Sequence, residues 1–305
     1  MERTTEGIGA STIDPFSTMN TAPIIAGTMK WGVWGANMTV SEMAAHIETA
    51  IGEGIHTFDH ADIYGGYTTE ATFGEAFAHS AVCREDVEFI SKCGICYPEE
   101  GTPHAVKRYD YSAAHIRRSA ENSLRNLRTS YIDLFLLHRP SPLLDPREAV
   151  DTLELLQREG KIRSWGVSNF TPSQLALVSK HGRPAWNQIE CSLTHTTPMT
   201  DGTLDYHQGH EIGTMAWSPM GGVFSEDSPQ SQRIQKTMLR LSEHYNTPQE
   251  VLLLAWLMRH PAGIIPVVGT TRSERYRTLV SAKDISLSDE DWFALTEASW
   301  GHKVP

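Results

Sequence analysis

The stretch Ile132-Asp133-Leu134-Phe135-Leu136-Leu137, followed by Pro146 to Glu159 with Gly160 behind it and then by Ile162 to Val167, reads as strand, helix, strand. Short runs of Ile, Leu, Val and Phe that are apolar on both faces are the signature of a parallel strand covered by helices. A segment of helical periodicity between a proline start and a glycine stop supplies the crossover. Working outward from this unit, the same alternation recurs along the chain. Strands are expected at Ile24 to Thr28, Ile55 to Phe58, Val87 to Lys92, Ala185 to Glu190, Gly213 to Trp217 and Gly263 to Val267, making eight with the two above. Helices are expected at Thr39 to Gly54, Ser112 to Leu127, Pro172 to Lys180, Thr247 to Arg259 and, outside the repeat, Ser288 to Ala298.

Eight alternating units close most economically as a single (β/α)8 TIM barrel, with a doubly wound open sheet as the alternative. The G-x-G-x-x-G fingerprint of the open sheet does not follow the first strand, which favours the barrel. Three segments follow strand C-termini and stand outside the repeat: Cys93 to Asp110, Ser192 to Glu211 and Pro219 to Pro229. That is the face on which such a barrel builds its active site. No Pro, Gly or Ser-rich linker divides the chain, so residues 21–305 are read as one domain behind a flexible segment 1–20.

Composition excludes several classes. The 305 residues carry a formal net charge of -11 with no basic stripe, which argues against nucleic acid. The longest apolar run, Val251 to Met258, falls far short of the roughly 20 residues of a membrane helix, and no signal peptide is visible. A cytoplasmic protein, monomeric or weakly oligomeric, is expected. Cys83, Cys93, Cys96 and Cys191 do not make a disulfide framework in a chain of this size. Cys93-Gly94-Ile95-Cys96 has C-x-x-C spacing, but with no second such pair it is read as ordinary loop cysteines and no metal is expected. His195, His207 and His210 are read as solvated loop histidines.

The informative polar residues end the strands. Asp59 follows the second, Tyr64 lies five residues on, Lys92 ends the third, His138 follows the fourth, Ser168 and Asn169 the fifth, and Gln188 and Glu190 close the sixth. Buried charges at strand ends need partners, so Asp59 and Lys92 fit a structural ion pair as well as a catalytic one. A histidine at a strand end is equally open to a structural role. Tyr64 adds chemistry, because a neighbouring ammonium stabilises phenolate and eases release of the phenol proton. A neutral His138 would donate a hydrogen bond to a substrate oxygen. Trp31, Trp34, Tyr64 and His138, with Tyr67 and Tyr97, are expected to wall a substrate pocket.

Thr57 to Gly65, Ile90-Ser91-Lys92, Tyr131 to His138, Gly160-Lys161-Ile162-Arg163, Gly166 to Phe170 and Asn187 to Glu190 together resemble the successive signatures of the aldo-keto reductases, from about Ile24 to Leu295. Tyr64 to Tyr67 and Leu137 to Pro140 resemble a bacterial branch of that superfamily. The resemblance implies a nicotinamide-dependent reductase of small carbonyl compounds with Asp59, Tyr64, Lys92 and His138 as catalytic tetrad. It implies that Ser168, Asn169 and Gln188 hold the carboxamide, and that Trp217, otherwise readable as core, stacks on the nicotinamide. Ser218 and Met220 would border the pyrophosphate, and Thr28, Met29, Gly269 and Thr270 would complete the cofactor contacts. NADP(H) is favoured and NAD(H) stays open: relatives preferring NADPH often have lysine where Gly269 stands, while Arg272 and Arg275 offer bidentate contact to a 2′-phosphate. Two other readings compete: a cofactor-binding regulatory subunit, and a hydrolase or lyase using Asp59, Glu190 and His138.

Overall fold

Side chains two apart on one strand share a face, and this period positions everything that follows. In the computed structural model, which describes residues 23–98 and 105–305, eight parallel strands close into a barrel. They are β1 (Ile25–Gly27), β2 (Thr57–Asp59), β3 (Glu88–Cys93), β4 (Ile132–Leu137), β5 (Ile162–Ser168), β6 (Trp186–Glu190), β7 (Gly213–Trp217) and β8 (Ile265–Val268). Each strand pairs with its sequence neighbours, and β8 closes on β1 through Ile25 and Val267. The expected barrel is therefore the observed one. The segment 1–20 and part of the loop after β3 lie outside the described residues.

Helices separate the strands: α1 (Val40–Gly52), α2 (Thr69–His79), α3 (Ala113–Asn126), α4 (Pro146–Arg158), α5 (Pro172–Val178), α6 (Thr203–Gly209), α7 (Pro229–Tyr245), α8 (Gln249–Met258), α9 (Arg275–Val280) and a final α10 (Asp289–Trp300). Local sequence sets their ends. Thr39 and Glu42 form a reciprocal capping box at the start of α1, and Pro146 sits in the first turn of α4 behind the Asp145 cap. None of the helices is long and apolar enough to cross a membrane among the described residues.

The barrel interior is filled by Ile25, Ile90, Leu134, Leu136, Trp186, Met215 and Val267. The intervening residues, such as Phe58, Phe89, Phe135 and Leu137, face outward into the layer beneath the helices. Two expectations need correction. The strand expected at Gly263 to Val267 runs from Ile265 to Val268, because Gly263 takes a positive φ of 61° in the preceding turn. The segment after β6, expected to be loop, contains α6; its His207 is wholly buried and bonds Thr214 Oγ1 at 2.9 Å and Asn187 Nδ2 at 3.0 Å, so it is no solvated histidine. His210 is exposed and His195 half-buried.

Candidate active site

Adding two residues to each interior position reaches the mouth of the barrel. Above Ile90 comes Lys92, above Leu136 comes His138, above Trp186 comes Gln188, and above Met215 comes Trp217. Asp59 stands likewise two above Thr57 on β2. The strand period thus delivers an amine, an imidazole, an amide, an indole and a carboxylate to one rim.

Lys92 is wholly buried, and its ammonium lies 2.8 Å from Asp59 Oδ2, 2.7 Å from the His60 carbonyl oxygen and 3.1 Å from Tyr64 Oη. An ammonium has three protons and all three are committed. Asp59 accepts a second bond at Oδ1 from Gln188 Nε2, 2.9 Å away across the barrel mouth. Burial pulls the Lys92 amine down, but Asp59 and Tyr64 outweigh it and hold it above its usual range, so it stays charged.

Tyr64 departs from the sequence-based expectation. Burial raises its pKa, and the opposing pull of Lys92 does not cancel that rise. The phenol is thus a protonated group at neutral pH. Because Lys92 donates to Oη, the phenol proton must point elsewhere, and no acceptor takes it among the described residues. His138, its ring centroid 6.1 Å from that of Tyr64, is held well below the ordinary histidine range by burial and then by Lys92, Arg139 and Lys107. It is a neutral imidazole whose buried Nδ1 has no partner among the described residues.

Tyr64 comes from a tight turn rather than from a strand. Gly65 and Gly66 take left-handed φ values of 59° and 61°. A Cβ on Gly65 would lie 2.4 Å from Thr69 Oγ1, so glycine there is what folds the phenol back over Lys92.

The mouth opens into a cleft of about 660 Å³. Asp59, Tyr64 and His138 line it together with Ile95, Trp34 and Tyr97, the Trp34 ring centroid lying 6.5 Å from that of Tyr64 and 6.0 Å from that of Tyr97. Ser168, Gln188, Trp217, Met29, Ser218 and Met220 line it as well, as do Gly269, Thr270 and Arg275 from the segment after β8. An extended ligand fits this shape: Gly27 and Gly269 present backbone alone, and Asp59, the carboxylate among the lining residues, is already neutralised by Lys92. Lys30 and Arg275 add positive charge to the lining, which a ligand carrying phosphates can use, so the residues present suit a nicotinamide dinucleotide.

The expected contacts of Trp31, Thr28 and Tyr67 are corrected. Trp31 is wholly buried beneath the mouth, donating its indole N–H to the Thr270 carbonyl and packing on Phe58, Phe73 and His46, so it cannot wall the pocket. Thr28 is also wholly buried, its hydroxyl donating to the Asp59 carbonyl. Asn169 is half-buried next to two lining residues: its Oδ1 accepts from Trp217 Nε1 at 2.9 Å and its Nδ2 donates to Ser168 Oγ at 2.8 Å, so it orients those two side chains. Arg272 is exposed and precedes α9, which Arg275 opens. Tyr67 stands behind the wall, its hydroxyl donating to the Ile95 carbonyl and accepting from the Tyr97 N–H.

Sequence reasoning missed Lys107 and Arg139, which also line the cleft. Arg139 directly follows His138, and that adjacency was a usable signal. Lys107 reaches the cleft only because Arg108–Tyr109 pairs antiparallel with Ile95–Cys96, a pairing across a gap that no periodicity marks. The same ribbon brings Cys96 close to Asp110 and His115, with potential ligand atoms within 4.8 Å of one another. Arg108 already holds Asp110 at 3.1 Å and Arg118 bonds His115 Nδ1 at 2.8 Å, so the cluster is neutralised by guanidinium groups.

Comparison with known proteins gives a consistent result. The model of the Aldo/keto reductase family matches residues 23–299. The chain is 39% identical to the oxidoreductase YcsN of Bacillus subtilis, over 92% of this chain and 95% of that one. It is 38% identical to a 6-dehydroglucose reductase of Agrobacterium fabrum, over 90% and 94% of the two chains. Among solved structures, the Klebsiella pneumoniae aldo/keto reductase in complex with NADP and acetate aligns at a TM-score of 0.75 and 27% identity, covering 93% of this chain and 92% of that one. The thermostable aldo-keto reductase Tm1743 with the inhibitor epalrestat aligns at 0.77 and 26%, covering 90% and 94%.

Proposed function

Because this chain belongs to the aldo/keto reductase family and is thereby a nicotinamide-dependent oxidoreductase, we propose that it reduces aldehydes or ketones to alcohols with NADP(H), Tyr64 delivering the proton. Residues 21–305 act as one catalytic domain in this reading. The observation that carries it is the saturation of Lys92: with all three ammonium protons spoken for, the Tyr64 hydroxyl accepts from Lys92 and keeps its own proton for the cleft.

Asp59 keeps Lys92 charged and Gln188 keeps Asp59 in place. Neutral His138 offers a hydrogen bond to the carbonyl oxygen from the opposite side, polarising it without competing for the proton. Ser168, Gln188 and Trp217 would hold a nicotinamide, which would supply the hydride chemistry of the reduction. As negative charge builds on the oxygen, Lys92 stabilises the phenolate that Tyr64 becomes. The preference for NADP(H) rests on Arg275 and Lys30 in the cleft lining and on the NADP bound to the Klebsiella protein. A regulatory subunit would not need the saturated Lys92 or a phenol proton left without an acceptor. A hydrolase would leave Tyr64 and Trp217 without a task.

The test is Tyr64→Phe with a panel of aldehydes that includes 6-dehydroglucose, after the name of the Agrobacterium relative. Loss of one general acid should lower kcat by about 10²- to 10⁴-fold. The dissociation constant for NADPH, read by fluorescence, should stay within about threefold, since the phenol makes no cofactor contact in this scheme. Retained turnover would remove Tyr64 as the acid.

A further inference from the structure

The chain is acidic overall, yet its cleft is lined by Lys30, Lys107, Arg139 and Arg275 against the lone, neutralised carboxylate of Asp59. Arg275 has an outlet, since its guanidinium lies 3.6 Å from Glu250. Lys107 and Arg139 have none: neither has a carboxylate within 4.0 Å among the described residues. Both stand at the reacting end, near enough to His138 to act on its charge, and Arg139 acts on Tyr64 as well.

Arg139 is built into place. The Tyr111 hydroxyl donates to the Arg139 carbonyl and accepts from the Arg139 N–H at 2.9 Å, so one buried phenol clamps this backbone unit from both of its polar groups. Tyr111 in turn fits only because Gly94, at φ 106°, has no side chain: a Cβ there would lie 2.0 Å from the Tyr111 ring. The half-buried guanidinium lies 5.1 Å from the centroid of Trp217 and covers one face of that indole. Stacking on an aromatic face leaves the planar fork of N–H donors free at its edge. Partial burial of a cation without a counterion is unfavourable unless an anion completes it, and a carboxylate, sulfonate or phosphate group does so with charge-assisted hydrogen bonds. Lys107, next to the ribbon of Ile95–Cys96 and Arg108–Tyr109 and 6.0 Å from the Tyr97 ring centroid, is a second donor of the same sign in the cleft lining.

We propose that the preferred carbonyl substrates carry an anionic group that Arg139 and Lys107 bind while Tyr64 and His138 hold the carbonyl. This rests on the reductase reading above and narrows its substrate class.

The test compares 4-carboxybenzaldehyde with methyl 4-formylbenzoate, which differ in charge while keeping the same aldehyde. The carboxylate should show a kcat/KM roughly 10- to 100-fold higher at low salt, the gap shrinking as ionic strength rises. Arg139→Met and the exposed Lys107→Gln should each bring the ratio down, and together close to unity. A wild-type ratio at or below one overturns the proposal, as does a ratio that survives both substitutions. So does a variant that weakens NADPH binding and slows both aldehydes alike, which would assign these cations to the cofactor. Calorimetry of 4-(hydroxymethyl)benzoate against benzyl alcohol, with NADP⁺ present, separates the two readings. If neither aldehyde is turned over but the carboxylate binds in an Arg139-dependent way, the reductase reading falls and the anion site stands; if it does not bind, the site falls too.

Discussion

Replacing Lys92 by Met, alone and together with Asp59→Asn, asks whether the buried pair is there for stability or for chemistry. The single change removes an ammonium from a wholly buried position and leaves Asp59 with one remaining donor, Gln188 Nε2. Breaking a buried pair from one side leaves a charge uncompensated and costs about 3 to 5 kcal/mol. The His60 carbonyl also loses its Lys92 donor, a loss of about 1 to 3 kcal/mol that persists in the double variant. Removing both charges should therefore recover about 2 kcal/mol or more relative to K92M, the favourable term being the absence of an unpaired buried carboxylate. Turnover should not recover, because Tyr64 has lost the ammonium that stabilises its phenolate. Urea denaturation of the wild type and the two variants followed by circular dichroism, alongside NADPH consumption, reads both quantities. The reasoning fails if D59N/K92M is no more stable than K92M, or if its turnover returns towards wild type.

Three further outcomes follow from the same geometry. Buried His207 has its pKa lowered to about 4 in the folded chain, against 6.5 when unfolded, so between those values the unfolded chain binds more protons and stability is lost as pH falls. About 3 kcal/mol should disappear from pH 6.5 down to pH 4, and His207→Gln should flatten that part of a urea-midpoint profile. With Tyr64 raised and His138 lowered, neither group titrates near neutrality, so the single-turnover reduction rate should be flat from about pH 6 to 9; a bell centred near 7 would contradict it. Trp31→Ala should cost about 3 to 5 kcal/mol of stability, whereas Trp34→Ala, on the cleft wall, should raise KM with a small effect on the urea midpoint.

Much of this molecule is written locally. Alternating apolar runs and capped helices specify eight βα units, and right-handed βα packing leaves closure as the economical answer. The strand period then specifies that Asp59, Lys92, His138, Gln188 and Trp217 reach one mouth, because each stands two residues beyond a residue that faces the barrel interior or its lower rim.

Other features depend on pieces distant in sequence. Gln188 braces Asp59 from 129 positions away, and only closure of the barrel makes them neighbours. Trp31 and Trp34 look alike in sequence, yet one sinks under Thr270 and the other faces the cleft, since a loop has no period to tell inward from outward. The direction in which the Tyr64 pKa moves differs from expectation for a related reason: the attraction of Lys92 is visible in residue types, while the opposing desolvation depends on how completely the surrounding chain excludes water. Sequence therefore determined the scaffold and the list of reacting groups. Tertiary structure alone decided their protonation, their bracing and the positive wall they face, because those are properties of distance and burial, which no single segment contains.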